Sequence, residues 1–457
     1  IRPCDWSSDV CSSDLDAVRA LNRNTRGVAN ENPDLAAVAA RSAFMPVDVP
    51  LTSRGGGLGR SLLARLSGQR HKIDQRRDTR IGMPRILNFY DLGPFFMGFF
   101  QSLGICPENL VWSDYTSERL YKAGAKRGSV DPCYPSKVAI PHVHNLLVEK
   151  HRAEPLDYIF VPMIDSMPTF LKGVHSSRSC PTSAATPEAI AAAFTKEQDL
   201  FAEAGVGYMK TFLNLDDVGL CAKQLHSDWA GPLGLGRREA VRAVQAGLDA
   251  LARHDAALRS QGREVIERLE QEGRLGIVLL ARPYHSDPGI CHEITSALQQ
   301  LGYPILTHTS LPTDDETLRR VFGAHDDAQA LSIRDVWPHS YNENGNRKLW
   351  AAKFAARHPN LVALELSSFK CGHDAPIYTL VEDIVEHNGT PFFYFKDMDE
   401  NKPVGSIKIR LETMAYFLER YREQIMGDTV TRRAISERLD SCEASPLEAD
   451  PAESAVA

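Results

Sequence analysis

The nine cysteines form no Cys-x-x-Cys pair and no close-set framework. That scatter excludes a zinc ribbon and a bacterial ferredoxin module, and in a reducing compartment it argues against disulfides. The chain also lacks a phosphate loop, a dinucleotide fingerprint, a nucleophile elbow, an HExxH pair and a zinc-deaminase pattern. Glycine-rich GGGLGR at 55–60 does not fit the phosphate-loop pattern and reads as linker. No apolar run is long enough to cross a bilayer, and the short aromatic runs FFMGFF and FFYF read as core. No signal peptide is visible, so a cytoplasmic location is expected. A formal charge of −7 over 457 residues gives no reason to expect nucleic acid or a membrane as partner. His142 and His144 cannot face the same side of a helix, which removes a paired-histidine metal site.

What is present is length for two or three domains and an alternation of strands and helices. Residues 5–15, DWSSDVCSSDL, resemble the translation of a short-read sequencing adapter, although a polar start has similar composition. Residues 1–15, with Cys4 and Cys11, are therefore set aside as an artefact, and the chain is expected to begin inside a longer protein. Residues 16–80 read as linker with a helical remnant, NPDLAAVAARSAF. A first Rossmann-like domain is expected over 81–236, a helical connection over 237–274, a second Rossmann-like domain over 275–424, and a disordered tail over 425–457. The fold class is α/β, with two three-layer parallel-sheet domains, a cleft between them and disordered ends.

Strands are expected in MPRILNFY, NLVWS, YIFVPMI, RLGIVLLARPYH, YPILTHT, LVALELSSF and PFFYFKDMDE. Cys371 falls between LVALELSSF and a helical pattern of Ile377, Leu380, Val381, Ile384 and Val385, at the edge of the sheet where such folds place ligands. Asp131 and Pro132 put Cys133 near a helix start. Cys180 precedes Pro181 on a loop, with Thr186 expected to cap the helix PEAIAAAF. Three such thiolates could hold a cubane cluster through three irons, or they could be three unrelated buried thiols; spacing alone leaves both open. Cys106, Cys221, Cys291 and Cys442 read as structural thiols, with Cys291 held open because it opens a helix after a polar loop. His175, His292 and His373 lie near candidate cysteines in sequence. A second candidate site is Arg282, Tyr284, His285 and Asp287, directly after a buried strand. Its alternative is a loop whose Asp287 and Pro288 merely start the next helix.

Taken in order, PCYPSKVAIPHVH, SCPTSAATPE, LLARPYHSDP, SSFKCGHDAPIY and KDMDENKPVGSIKIR resemble the carboxyl-terminal part of the large CoA-substrate-specific enzyme activases. These are related to activators of 2-hydroxyacyl-CoA dehydratases and to dehydratase subunits. The resemblance covers roughly residues 30 to 424. It implies that Cys133, Cys180 and Cys371 ligate a [4Fe-4S] cluster, with a double-cubane cluster at a homodimer seam as a variant. It also implies ATP-driven delivery of low-potential electrons, with ATP acting only through ATPase modules missing from this chain. The implied partners are those modules of the same polypeptide, a redox acceptor such as a dehydratase, and a second copy of the chain. Two rival readings stand beside it: an acyl-CoA dehydratase or reductase subunit acting itself, and a cluster-free docking module.

Overall fold

Apolar runs too short for helices alternate with amphipathic ones, so strands must find partners across helical crossovers. The computed structural model describes residues 31–52, 76–128, 133–323, 327–399 and 405–423. In chain order the strands are β1 Ile81–Met83, β2 Leu110–Trp112, β3 Tyr158–Phe160, β4 Met163–Ser166 and β5 Gly207–Met209. They continue with β6 Phe212–Asn214, β7 Gly276–Leu280, β8 Ile305–Thr307, β9 Leu361–Leu366 and β10 Phe392–Phe395. Two four-stranded sheets run β2-β1-β3-β5 and β10-β9-β7-β8, and β4 pairs with β6. Every named strand pairing is parallel. Each large sheet repeats one order, its first strand lying between its second and third. A doubly wound sheet reverses direction there, and the crevice outside its carboxyl edge is where ligands settle.

The two units are joined by the helix Arg237–Glu272, which ends at Gly273 in the left-handed region (φ 61°). Its first half buries Ala240, Ala243 and Val244 in the core of the first unit. Its second half buries Leu258, Val265 and Ile266 in the core on one face of the second sheet. Both contacts depend on glycine. A Cβ on Gly98 would stand 2.8 Å from that of Ala250, and one on Gly262 would stand 1.6 Å from the Ser310 carbonyl oxygen. Helix propensity alone favours alanine by about 1 kcal/mol. Gly262→Ala is nevertheless expected to lose about 1–3 kcal/mol net, because backbone cannot yield as a side-chain tip can. Urea unfolding measures it, and an unchanged midpoint would show that the close approach is not required.

Several local expectations shift. The first strand is Ile81–Met83 and stops before Pro84 rather than running through MPRILNFY, because Pro84 lacks the N–H a ladder needs, and the run ends instead in the helix Phe89–Ser102. YIFVPMI divides at Val161–Pro162 into β3 and β4, which belong to different sheets. The helix after Cys180 begins at Pro181, so Thr186 lies inside it and does not cap it. Its hydroxyl donates back to the Thr182 carbonyl at 2.7 Å, and Pro187 is accommodated within the helix. The helix expected at Cys291 starts only at Ile294.

The helix Leu35–Ser42 within the expected linker region is docked. The Ile305 N–H bonds the Pro33 carbonyl at 2.9 Å, and Leu35, Ala36 and Val38 are buried. A closing helix spans 405–423, burying Ile407, Leu411, Met414 and Leu418 against the other face of the second sheet. Residues 1–30, Asp131, Pro132 and the tail from 424 lie outside the described residues.

Candidate functional site

The loops after β7 and β9 meet at the point where the second sheet reverses direction. Arg282 follows β7, and Asp374 belongs to the loop after β9. The Arg282 Nη2 donates to Asp374 Oδ1 at 2.8 Å, with both side chains almost wholly buried. Lys348 Nζ lies 2.9 Å from Asp374 Oδ2 and 3.1 Å from Glu365 Oε1. The Ser367 hydroxyl donates to Asp374 Oδ2 at 2.7 Å. Lys396 reaches the other Glu365 oxygen at 3.9 Å. Burial opposes the Asp374 charge, but Arg282, Lys348 and Ser367 outweigh it and hold the carboxyl far below the usual carboxylate range. Two carboxylates thus face three cations beneath the loops.

Cys133, Cys180 and Cys371 come to this place from three segments. Each is half-buried, whereas Cys106, Cys221 and Cys291 are fully buried. Cys133 precedes the turn Tyr134–Lys137, and Cys180 precedes the helix Pro181–Thr195; each occupies the extended position just before its helix. Ser136 and Thr186, one from each of these helices, share a hydroxyl hydrogen bond of 2.7 Å. The Arg178 backbone is zipped to the second unit, its N–H on the Tyr341 carbonyl at 2.8 Å and its carbonyl on the Glu343 N–H at 2.9 Å. Tyr134 stacks on His292 of the second unit at 6.4 Å between ring centroids. In the Cys371 loop, the Cys371 N–H bonds the Ser368 carbonyl at 2.8 Å, and its own carbonyl accepts from Asp374 and Ala375.

The thiols act on one another. Burial pushes Cys133 up to about 11, with Cys180 and Cys371 adding to the rise. Burial also opposes the Cys180 thiolate, but hydrogen bonding from His373, the Ser183 N–H and the Arg282 charge outweigh it and bring that thiol down to about 6. Arg282 is felt by all three sulfurs. Among the described residues, no group of three or more His, Cys, Asp or Glu side chains stands close enough to hold a single metal ion.

The second candidate site divides. Arg282 and Tyr284 join the cysteines; burial raises the Tyr284 phenol well above its ordinary value, with the Cys371 and Cys133 charges adding to it. His285 lies behind them, accepting from the Arg282 N–H at 3.2 Å, and burial holds it down to about 3, so it is neutral. Asp287 turns away into the seam between the units. It accepts from the Tyr90 hydroxyl, the Thr116 N–H at 3.1 Å and the Gly289 N–H at 2.8 Å. Cys291 packs in the core beside Ile294 and Leu298, and His142 is enclosed between Ser113 and Thr116. Cys4, Cys11 and Cys442 lie outside the described residues. Lys348, Glu365 and Asp374 were not singled out from the sequence, and His373 was noted there only as a neighbour of Cys371. Glu365, a charge inside the wholly buried strand LVALEL, was the available signal.

Fold and site together define an α/β protein whose doubly wound second sheet carries three neighbouring thiols beside buried Arg282 at its switch point. The model of the CoA enzyme activase uncharacterised domain (DUF2229) matches residues 80–311, just over half the chain, and the protein belongs to that family. The match spans the first unit, the long helix and β7–β8, and so includes Cys133, Cys180 and Arg282 but not Cys371. No curated protein matches the chain. No helix among the described residues is long and apolar enough to cross a membrane.

Proposed function

We propose that this protein is the iron–sulfur part of an ATP-dependent electron-transfer activase of the 2-hydroxyacyl-CoA dehydratase activator type, with Cys133, Cys180 and Cys371 as thiolate ligands. The observation that carries the reading is the meeting of the three half-buried thiols beside buried Arg282. Thiolates on separate corners of a cubane stand farther apart than ligands of one ion, so this donor set suits a cluster better than a lone metal. When bound, a [4Fe-4S] group would supply one-electron chemistry. The chain's own residues would orient the thiolates through two helix starts and one sheet-edge loop. Arg282 would offset their negative charge, and both units would shield the site from water. ATP hydrolysis would come from ATPase modules of the same polypeptide, and the electron would pass to a dehydratase-like acceptor. A cytoplasmic location and a homodimer are part of the proposal.

Iron, acid-labile sulfide and the dithionite-reduced EPR spectrum test it on anaerobically purified protein, beside Cys371→Ser. About four irons per chain in the wild type, with the spectrum altered or the iron lost in the variant, is the expected result. A folded wild type that stays iron-free after reconstitution would overturn the reading in favour of a docking module.

A further inference from the structure

Cys133 and Cys180 belong to the first unit and Cys371 to the second, so their meeting depends on what fastens the units together beside each thiol. Beside Cys180 the fastening is the backbone pairing of Arg178 with Tyr341 and Glu343, at 2.8 and 2.9 Å. Beside Cys133 it is a contact between rings. Tyr134, the residue after Cys133, lies against His292 with 6.4 Å between centroids and 17° between planes, and both side chains are buried. On its other side the His292 ring donates from Nε2 to the Asp399 carbonyl at 2.9 Å, since a carbonyl oxygen can only accept. The Asp399 carboxylate in turn holds the Nζ of Lys370, the residue before Cys371, at 3.3 Å. A chain of contacts thus runs from the neighbour of Cys133 to the neighbour of Cys371, with His292 in the middle. The backbone beneath that ring is strained. Among the described residues three that are not glycine have positive φ, and two of them are His292 at 51° and Glu293 at 60°, in succession. L side chains crowd their own backbone in this region, so consecutive residues remain there only where the surroundings fix them. The Glu293 N–H on the Pro288 carbonyl and the Ile294 N–H on the Cys291 carbonyl, both at 3.1 Å, close the turn. It delays the helix to Ile294 and leaves His292 outside it, against Tyr134.

We infer that His292 is a positioning residue that sets the separation of Cys133 from Cys371, acting through Tyr134 on one side and Asp399 on the other. Without its ring, Cys133 stays tied to the Cys180 helix through the Ser136–Thr186 bond of 2.7 Å but loses this hold on the second unit. Cys180 keeps its own fastening through Arg178. The two fastenings are therefore separable, and loss of the His292 contact moves one thiol of the three. The inference rests on the reading of Cys133, Cys180 and Cys371 as one ligand set, and it concerns their spacing before any cluster is bound.

Cross-linking of the metal-free whole chain with a short bis-maleimide, followed by peptide mapping, tests it by comparing the yields of the Cys133–Cys371 and Cys180–Cys371 bridges. The wild type is expected to form both. His292→Asn suits the test because asparagine tolerates the left-handed backbone and keeps an amide donor for the Asp399 carbonyl, but has no ring. It is expected to lower the Cys133–Cys371 yield roughly two- to tenfold, the worth of one aromatic contact, and to leave the Cys180–Cys371 yield unchanged. Tyr134→Leu is expected to do the same from the other side. The double variant should be no worse than either single one, because a single contact is removed. An unchanged ratio of the two bridges in the variants would overturn the role of His292 and leave the ligand-set reading standing. Equal falls in both bridges would overturn it too, as a sign of general loosening. A wild type that forms neither bridge would overturn both, since the thiols would not then converge. Either single variant removes the same contact, so one that fails to fold leaves the other to decide.

Discussion

In metal-free protein, iodoacetamide at neutral pH is expected to modify Cys180 on the order of a hundredfold faster than Cys133. The two thiols are comparably half-buried, so access does not separate them. Their ionisation does, since Cys180 lies at about 6 and Cys133 at about 11. At pH 7 Cys180 is mostly thiolate and Cys133 is about one part in ten thousand, a ratio near 10⁴. The more basic thiolate is intrinsically the better nucleophile, and a Brønsted slope of about 0.4–0.5 returns roughly two of those four decades. The pH profiles differ in the same sense: Cys180 modification levels off above about pH 7, while that of Cys133 keeps rising into alkali. His373→Ala should move the Cys180 profile upward, because hydrogen bonding from His373 is the largest influence lowering that thiol. Peptide mapping of the alkylated sites checks all three statements. Equal rates at the two cysteines would show that they do not share the electrostatic surroundings described. The contrast bears on function because a low-pKa thiol is the natural first ligand for incoming iron, the others ionising as metal binds.

Much of the scaffold was legible before the structure. Buried strands such as LVALEL and GIVLL, the long helical connection, and the placement of Cys371 between a strand and a helix all follow from patterns local in sequence. Convergence was not legible, since Cys133 and Cys180 are 47 residues apart, Cys371 lies 191 further on, and nothing local fixes how the two units face each other. The docking of residues 176–178 on 341–346 contributes to that through two backbone-to-backbone hydrogen bonds, which leave no trace in residue type, and through amide bonds from Asn342 and Asn346. The start of the Cys180 helix was misjudged for a related reason. Thr186 before Pro187 looks like a cap, but Pro181 already supplies a favourable first helical residue, and the helix tolerates the one bond that the later proline removes. The residues of the second candidate site part in the structure. Arg282 and Asp287 sit close together in sequence, yet one faces the thiols and the other fastens the seam between the units.

Asp374→Ala is expected to destabilise the protein by about 3–5 kcal/mol, the cost of leaving buried charge unpaired. In the wild type that one carboxylate serves Arg282 and Lys348 together, at 2.8 and 2.9 Å. Without it, Lys348 keeps Glu365, but Arg282 keeps only the Asn342 side chain at 3.3 Å. The intact ion network need not be a net stabiliser, since an apolar replacement of similar volume could match it. What it does supply is placement, for Asp374 lies three residues beyond Cys371, and its N–H closes the turn on the Cys371 carbonyl at 3.2 Å. The pH dependence has a definite sign. Asp374 is held below its unfolded value, so its contribution is complete above about pH 4 and is lost progressively as the pH falls below that. Asp374→Asn preserves shape and removes that acid-dependent component, so the difference between wild-type and variant stability should shrink as the pH is lowered from 5 toward 2. Chemical denaturation across that range measures it. A constant difference would mean that Asp374 does not carry the charge pairing. If the variant folds at neutral pH, its iron content after reconstitution separates two roles for the residue. Normal iron would confine Asp374 to stability, whereas reduced iron in a folded protein would make it the residue that positions Cys371.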